Sequence, residues 1–236
     1  MAKGGPSPVG QRRIAAIVLA AGGAARMGSP KPLTELAGRT MLSWVLGAIP
    51  RSAVGETIVV LGAWADEIRA AVDLTGCTVV ENPEPAAGMS RSLRRGVAAV
   101  SATAEAFFVV LGDAPLVRPA TYHELIAARL RARVRIVVPL YAGIRGHPVL
   151  FDRSLSSEVD RITGDRGARA LVLEHASETL EVPLEDPGVL IDLDTPGDLR
   201  EAEDRLRTGA SLVPLALRLA SSGRPRGRSS AGARLR

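Results

Sequence analysis

The sequence predicts an α/β protein, a Rossmann-like and mostly parallel sheet flanked by helices. Short β-branched runs alternate with longer Ala- and Leu-rich stretches at the spacing of strand–helix–strand units. Three of those runs end in loops that carry the most unusual residues of the chain. Parallel sheets bind ligands at the carboxyl ends of their strands, so these three loops are expected to share one edge.

The elements follow in order. Ile14 to Leu19 is a continuous apolar run, as a buried strand requires, and ends in a glycine loop. Met41 to Ile49 reads as a helix, Thr57 to Leu61 as a strand, Ala63 to Val72 as a helix and Cys77 to Val80 as a strand. Ser90 to Ser101 is a helix, Phe107 to Leu111 a strand, Thr121 to Leu130 a helix and Ile136 to Pro139 a strand. The second half is less regular. Val149 to Phe151, Thr179 to Val182 and Val189 to Ile191 look like strands, and Ser154 to Arg161 and Ala168 to His175 like helices. Thr195 to Leu206 is a final helix with Pro196 in its first turn, where a missing N–H costs nothing. That helix could extend through Leu212 to Leu219.

Composition narrows the function classes. With 46% hydrophobic and 23% charged residues, wholesale disorder is excluded. The longest apolar run, Ile14 to Ala21, is eight residues, against the roughly 20 needed to cross a bilayer, so no membrane role is expected. One cysteine, Cys77, excludes an internal disulfide framework and a zinc site of several thiolates. His123, His147 and His175 show no metal-ligand spacing, and His175 is expected at the surface. The net charge is +5, but Gly209 to Arg236 holds six arginines and no acid, which leaves residues 1–208 at −1. Nucleic acid is therefore not an expected partner. The expected organisation is a flexible 1–13, one domain over 14–208 and a basic, disordered tail over 209–236. The start of the chain does not read as a secretory signal, so the expected location is the cytoplasm.

The first loop, Leu19 to Leu33, reads LAAGGAARMGSPKPL. Glycines let backbone N–H groups turn toward phosphate oxygens. Arg26 and Lys31 add two cations, and Lys31 is one of only two lysines beside 28 arginines. A compact ammonium reaches between phosphate oxygens where a planar guanidinium does not fit. The other reading is a tight turn with surface charges. The second loop, Asn82 to Leu93, reads NPEPAAGMSRSL and leads into a helix whose N-terminus offers free N–H groups, or it is an ordinary loop with Ser90 as the cap. The third, LGDAP, sets Asp113 at the end of a buried strand, where it suits Mg²⁺ or caps a turn. Near the end, VLIDLDTPGDL puts Asp192 and Asp194 on one face of an extended segment. Either could hold a metal ion with Asp113, while Asp194 or Thr195 also makes a good helix cap.

Taken together the motifs resemble the nucleotidyltransferases of the molybdenum cofactor type, the MobA-like family, and within it the cytidylyltransferases. LAAGGAARMGSPKPL is similar to their LAAGxSxRMGxxK signature, LGDAP to GDxP, and Asn82–Leu93 to N-x(5)-GMSxSL. IRGHP, ITGDRGAR and IDLDTPGDL match three further segments, in order, over roughly residues 14–200. Ala24 stands where the family often has serine, which leaves phosphate binding there to backbone N–H groups. The resemblance implies the nucleotide-diphospho-sugar transferase type of fold. It implies transfer of CMP from CTP to the phosphate of molybdopterin, with release of pyrophosphate, for a molybdenum hydroxylase client. Leu19, Ala20, Ala21, Gly22 and Gly23 would wrap the base, and LAAG in place of LAGG favours CTP over GTP. Arg26 and Lys31 would bind the triphosphate, Asn82 and Ser90 the base or ribose, and Asp113 with Asp194 or Asp192 the Mg²⁺. Gly146, His147 and Pro148, with Gly164, Asp165 and Arg169, would face the pterin acceptor. Guanylyl transfer, another phosphorylated acceptor, and a non-catalytic cofactor chaperone are the alternatives.

Overall fold

A computed structural model describes residues 13–22, 30–85, 88–164 and 167–222. Its central sheet is built from β1 (Ile14–Ala20), β4 (Glu56–Leu61), β5 (Cys77–Glu81), β6 (Ala106–Leu111), β7 (Ile136–Tyr141), β9 (Val149–Asp152) and β10 (Thr179–Pro183). The order is β10-β7-β9-β6-β1-β4-β5, and the short β8 (Ile144–Arg145) pairs with β7. All neighbours run parallel except β9, which is antiparallel to both β6 and β7, and β8 against β7. The mostly parallel sheet predicted from the alternation is the one observed. A two-stranded hairpin, β2 (Glu35–Leu36) with β3 (Arg39–Thr40), was not expected and turns through Ala37 and Gly38, both at positive φ.

Helices cover both faces because each strand alternates its side chains between two cores. On one face Ala16, Val18, Val59 and Phe108 meet α1 (Met41–Ala48), α2 (Ala65–Ala71) and α4 (Pro119–Ala132). On the other, Ala15, Ile17, Val60 and Phe107 meet α3 (Met89–Ala99), α5 (Ser156–Val159) and α6 (Arg169–Glu174). Aromatic residues are few but placed at the joints. Phe108 meets Tyr122 of α4 edge to face at 5.1 Å, and Phe107 stacks on Phe151 of β9 at 5.6 Å.

Two expectations need correction. Val189–Ile191 is not a strand: Pro187–Leu190 forms a tight helical turn. Buried Asp186 fixes it, accepting from Gly188 N at 2.9 Å, Arg118 N at 2.9 Å and Thr121 Oγ1 at 2.6 Å. Nor does a tail begin at Gly209. There α7 (Pro196–Thr208) ends in a left-handed cap, and α8 (Val213–Ser221) follows. It buries Leu215, Ala216 and Leu219 against Leu190 and Leu193. Residues 1–12 and 223–236 lie outside the described residues. No helix among the described residues is long and apolar enough to cross a membrane.

Candidate functional site

The parallel register of β5, β4, β1 and β6 brings the three loops to one edge. A cavity of about 260 Å³ opens there, lined by Leu19–Gly22, Lys31, Pro32, Pro85, Met89, Ser92 and Leu111–Asp113. Of the residues expected to meet the nucleotide, Leu19, Ala20, Ala21, Gly22, Lys31 and Asp113 line it. Gly23 and Arg26 lie outside the described residues. Asn82 and Ser90 are buried behind the wall, each 1% exposed. Asn82 holds the second loop: its Nδ2 donates to Ser92 Oγ at 3.0 Å, and its Oδ1 accepts from Glu84 N at 3.1 Å. Ser92, not Ser90, faces the cavity. The sequence signal for it was present, since Ser92 is the second serine of GMSRSL and, two residues on, points to nearly the opposite side of the helix from Ser90.

At the rim, Lys31 Nζ donates to Asp113 Oδ2 at 3.2 Å and to Asp194 Oδ1. These three residues are 82 and 163 positions apart in sequence. Burial by itself pulls the Lys31 ammonium down, but the Asp113 charge and the hydrogen bond and charge of Asp194 outweigh it, so Lys31 is held above its ordinary value. The amine therefore stays charged at neutral pH. Asp194 is available for this because Thr195, not Asp194, caps α7. Thr195 Oγ1 accepts from Asp198 N, and the Asp198 carboxylate accepts from Thr195 N, both at 3.1 Å. Leu193 N donates to Asp113 O at 3.0 Å, which locks the two aspartate segments together.

A second cavity, about 800 Å³, adjoins the first and shares Met89 and Leu111 with it. Its walls are largely apolar, with Val109, Val138, Val149, Val172 and Val189 among them. Gly146, His147 and Arg169 line it, as does Asp192. Thus Asp192 faces the large cavity while Asp194 faces Lys31. Pro148 is buried, Gly164 is exposed, neither lines the cavity, and Asp165 lies outside the described residues. Gly146 is glycine for a packing reason, since a Cβ there would collide with Val189 O, and His147 N donates to the same oxygen at 2.9 Å. Gly88 has φ +100°, and a Cβ on it would come within 2.7 Å of the Gly164 backbone, so the two glycines let the second loop and the ITGDRGAR segment approach closely there. Arg145 and Glu174 also line the large cavity and were not anticipated. His175 is not a free surface residue. Its Nε2 lies 2.7 Å from Glu158 and its Nδ1 2.9 Å from Glu178.

The donor set at the rim fits a divalent cation. Two hard carboxylates converge on one cationic nitrogen, and Mg²⁺ is commonly held by one or two carboxylates together with substrate phosphates. No cluster of three or more His, Cys, Asp or Glu with metal-holding geometry occurs among the described residues.

Residues 16–179 match the family model of the MobA-like NTP transferase domain. The chain belongs to that family. Among curated relatives, the molybdenum cofactor cytidylyltransferase of Escherichia coli K12 is 28% identical over 202 residues, covering 81% of this chain and 96% of that protein. The bifunctional protein GlmU of Sorangium cellulosum is 33% identical over 185 residues, 75% of this chain, and the chain spans only 38% of its length. Among solved structures, Rv0371c of Mycobacterium tuberculosis has 33% identity and a TM-score of 0.72, with 82% of this chain and 98% of that chain covered. The same mycobacterial protein is also known in complex with manganese, at a TM-score of 0.68. Membership in the MobA-like family supports a nucleotidyltransferase acting on a nucleotide substrate.

Proposed function

We propose that the chain transfers CMP from CTP to the phosphate of molybdopterin, releasing pyrophosphate. The observation that carries this reading is the pairing of two unlike cavities that share Met89 and Leu111, with the Lys31–Asp113–Asp194 cluster at the rim of the smaller one. The small one is lined by the loop backbone of Leu19–Gly22 and suits a nucleotide. The large one is mostly apolar, with a row of valines and polar groups from Arg145, His147, Arg169, Glu174 and Asp192 at intervals, and suits a flat, bulky heterocycle that carries a few polar edges. Similarity to the E. coli cytidylyltransferase along nearly its whole length points the same way.

In this reading the Leu19–Gly22 backbone holds the cytosine, and Asn82 and Ser90 support that wall from behind. Lys31 and Arg26 neutralise the triphosphate. Gly146, His147 and Arg169 face the pterin, with Pro148 and Gly164 in the loops that carry them, and Asp165 is a further candidate acceptor contact. The acceptor phosphate oxygen attacks the α-phosphorus in line, a new P–O bond forms, and the bond to pyrophosphate breaks. The attacking oxygen is already anionic near neutral pH, so no general base is needed. Asp113 and Asp194 would hold Mg²⁺, with Asp192 the further candidate ligand. That ion would supply charge neutralisation on the phosphate oxygens. The dinucleotide product would pass to a molybdenum hydroxylase in the cytoplasm.

The test is pyrophosphate release from Mg²⁺, molybdopterin and each of CTP, GTP, ATP and UTP. Release with CTP alone supports the reading. Release with GTP alone makes the chain a guanylyltransferase. Release only with a sugar phosphate or another phosphorylated acceptor overturns the pterin assignment. Tight dinucleotide binding with no turnover marks a cofactor chaperone.

A further inference from the structure

The large cavity has a charged end that the proposed reaction leaves unexplained. Its floor is one face of the sheet. Val109 pairs with Val149, and β7 pairs with β9 in a register that places Val138 in the same row. Side chains alternate across a strand, so Leu140 shares the face of Val138. Arg145 lies opposite Leu140 and Glu181 opposite Val138, so both charges stand on this valine-lined face. Arg145 Nε donates to Glu181 Oε1 at 2.6 Å, and the side chains are only 10% and 14% exposed. Arg145 lines the cavity, and no other partner for it is present among the described residues.

Desolvating an ion pair is costly, and an apolar pair of similar volume is often as stable. The pair therefore calls for a reason beyond stability. Glu181 cancels the charge of Arg145, so the pair does not select for a further anion. What remains is a planar fork of N–H groups in a fixed orientation. Such a fork recognises two neighbouring hydrogen-bond acceptors on a flat ring, as arginine reads a base edge. We infer that Arg145, oriented by Glu181, binds the acceptor edge of the pterin ring and sets acceptor specificity. The inference rests on the pterin reading above. The competing explanation is that an inward charge on the edge strand β10 merely discourages sheet-to-sheet pairing.

The test compares the wild type with the double variant Arg145→Met/Glu181→Leu, which removes both charges of the pair, and with Arg145→Lys, which keeps the charge but not the fork. Binding of a fluorescent free pterin is titrated first. Both variants should bind it about tenfold more weakly or worse, with an equal rise in acceptor KM and an unchanged KM for CTP. Equal pterin binding by wild type and a folded double variant overturns the inference, and so does absence of pterin binding by the wild type. Pterin binding that depends on Arg145, without pyrophosphate release from CTP and molybdopterin, supports the inference while overturning the proposed reaction.

Discussion

The two cavities share a wall but are built in opposite ways. The small one is made of strand ends and loop backbone, Leu19–Gly22 and Leu111–Asp113. The large one is made of side chains from a sheet face, roofed by α6. A backbone-built site holds what every nucleotide offers, and its choice of base rests on a few atoms. A side-chain-built site can be retuned by single substitutions. Changes at the first should therefore depress turnover with any acceptor, and changes at the second should move acceptor KM alone.

The largest effect is expected at Asp113. Its carboxylate is anchored to the Leu193 segment through its own backbone and pairs with Lys31. Asp113→Ala should lower pyrophosphate release by at least about 10²–10³-fold, the range for a lost transition-state contact. Pterin binding in the large cavity should be unaffected, and a parallel loss there would break the division between the two cavities.

Next come the two aspartates near the end of the domain, which the structure separates. Asp194 meets Lys31 and Asp192 faces the large cavity. Asp194→Ala should depress kcat and raise the Mg²⁺ concentration for half-activity. Asp192→Ala should act mainly on acceptor KM. The reverse pattern in a Mg²⁺ titration would make Asp192 the metal ligand.

How far each cavity was legible follows from how it is built. The small one is written in contiguous loops whose glycines and strand-end polar residues announce themselves, so Lys31 and Asp113 could be singled out although 82 residues separate them. The convergence of Asp194 on Lys31 was only half legible, because Asp194 and Thr195 are equally good caps until the backbone chooses between them. The large cavity depends on β9 entering antiparallel between β6 and β7, which no local pattern encodes. Val189–Ile191 carries strand-forming residues, but the Asp186 hydrogen bonds impose a turn. A helix over residues 212–219 was legible as an extension of the preceding one, but the left-handed Gly209 ends α7 and makes α8 a separate element packed through Leu215 and Leu219. Arg145 lies inside IRGHP, but it gained its meaning from Glu181, 36 residues away.

A further substitution tests the large cavity by volume. Ala170 is half-buried in α6 and lines that cavity but not the small one. Ala170→Phe should raise acceptor KM by about tenfold or more, as expected for filling an apolar pocket, and leave CTP KM unchanged. An unchanged acceptor KM would place the acceptor elsewhere.

The smallest effect concerns the anchoring of the large cavity's roof. α6 ends at His175, which bonds Glu158 on α5 and Glu178, while Arg135 reaches the same two carboxylates at 3.1 and 3.2 Å. The hydrogen bonds to Glu178 and Glu158 raise the His175 imidazole above its ordinary 6.5. His175 in turn lowers both carboxylates below their ordinary 4.5. A raised imidazole adds stability that is complete below its unfolded value and is lost as pH rises through the folded one. The lowered carboxylates add stability that is complete above their unfolded value and is lost as pH falls through the folded one. The network should therefore stabilise α6 most between about pH 4.5 and 6.5 and weaken on the alkaline side. His175→Gln should remove that alkaline decline in Tm, a change below about 4 °C for partly solvated ion pairs in a chain of this size. Because His175 lies beyond the large cavity's roof and far in sequence from the Leu19–Gly22 loop, CTP binding should show no matching pH dependence. An equal alkaline decline in CTP affinity that the variant abolishes would mean that α6 supports both cavities rather than one.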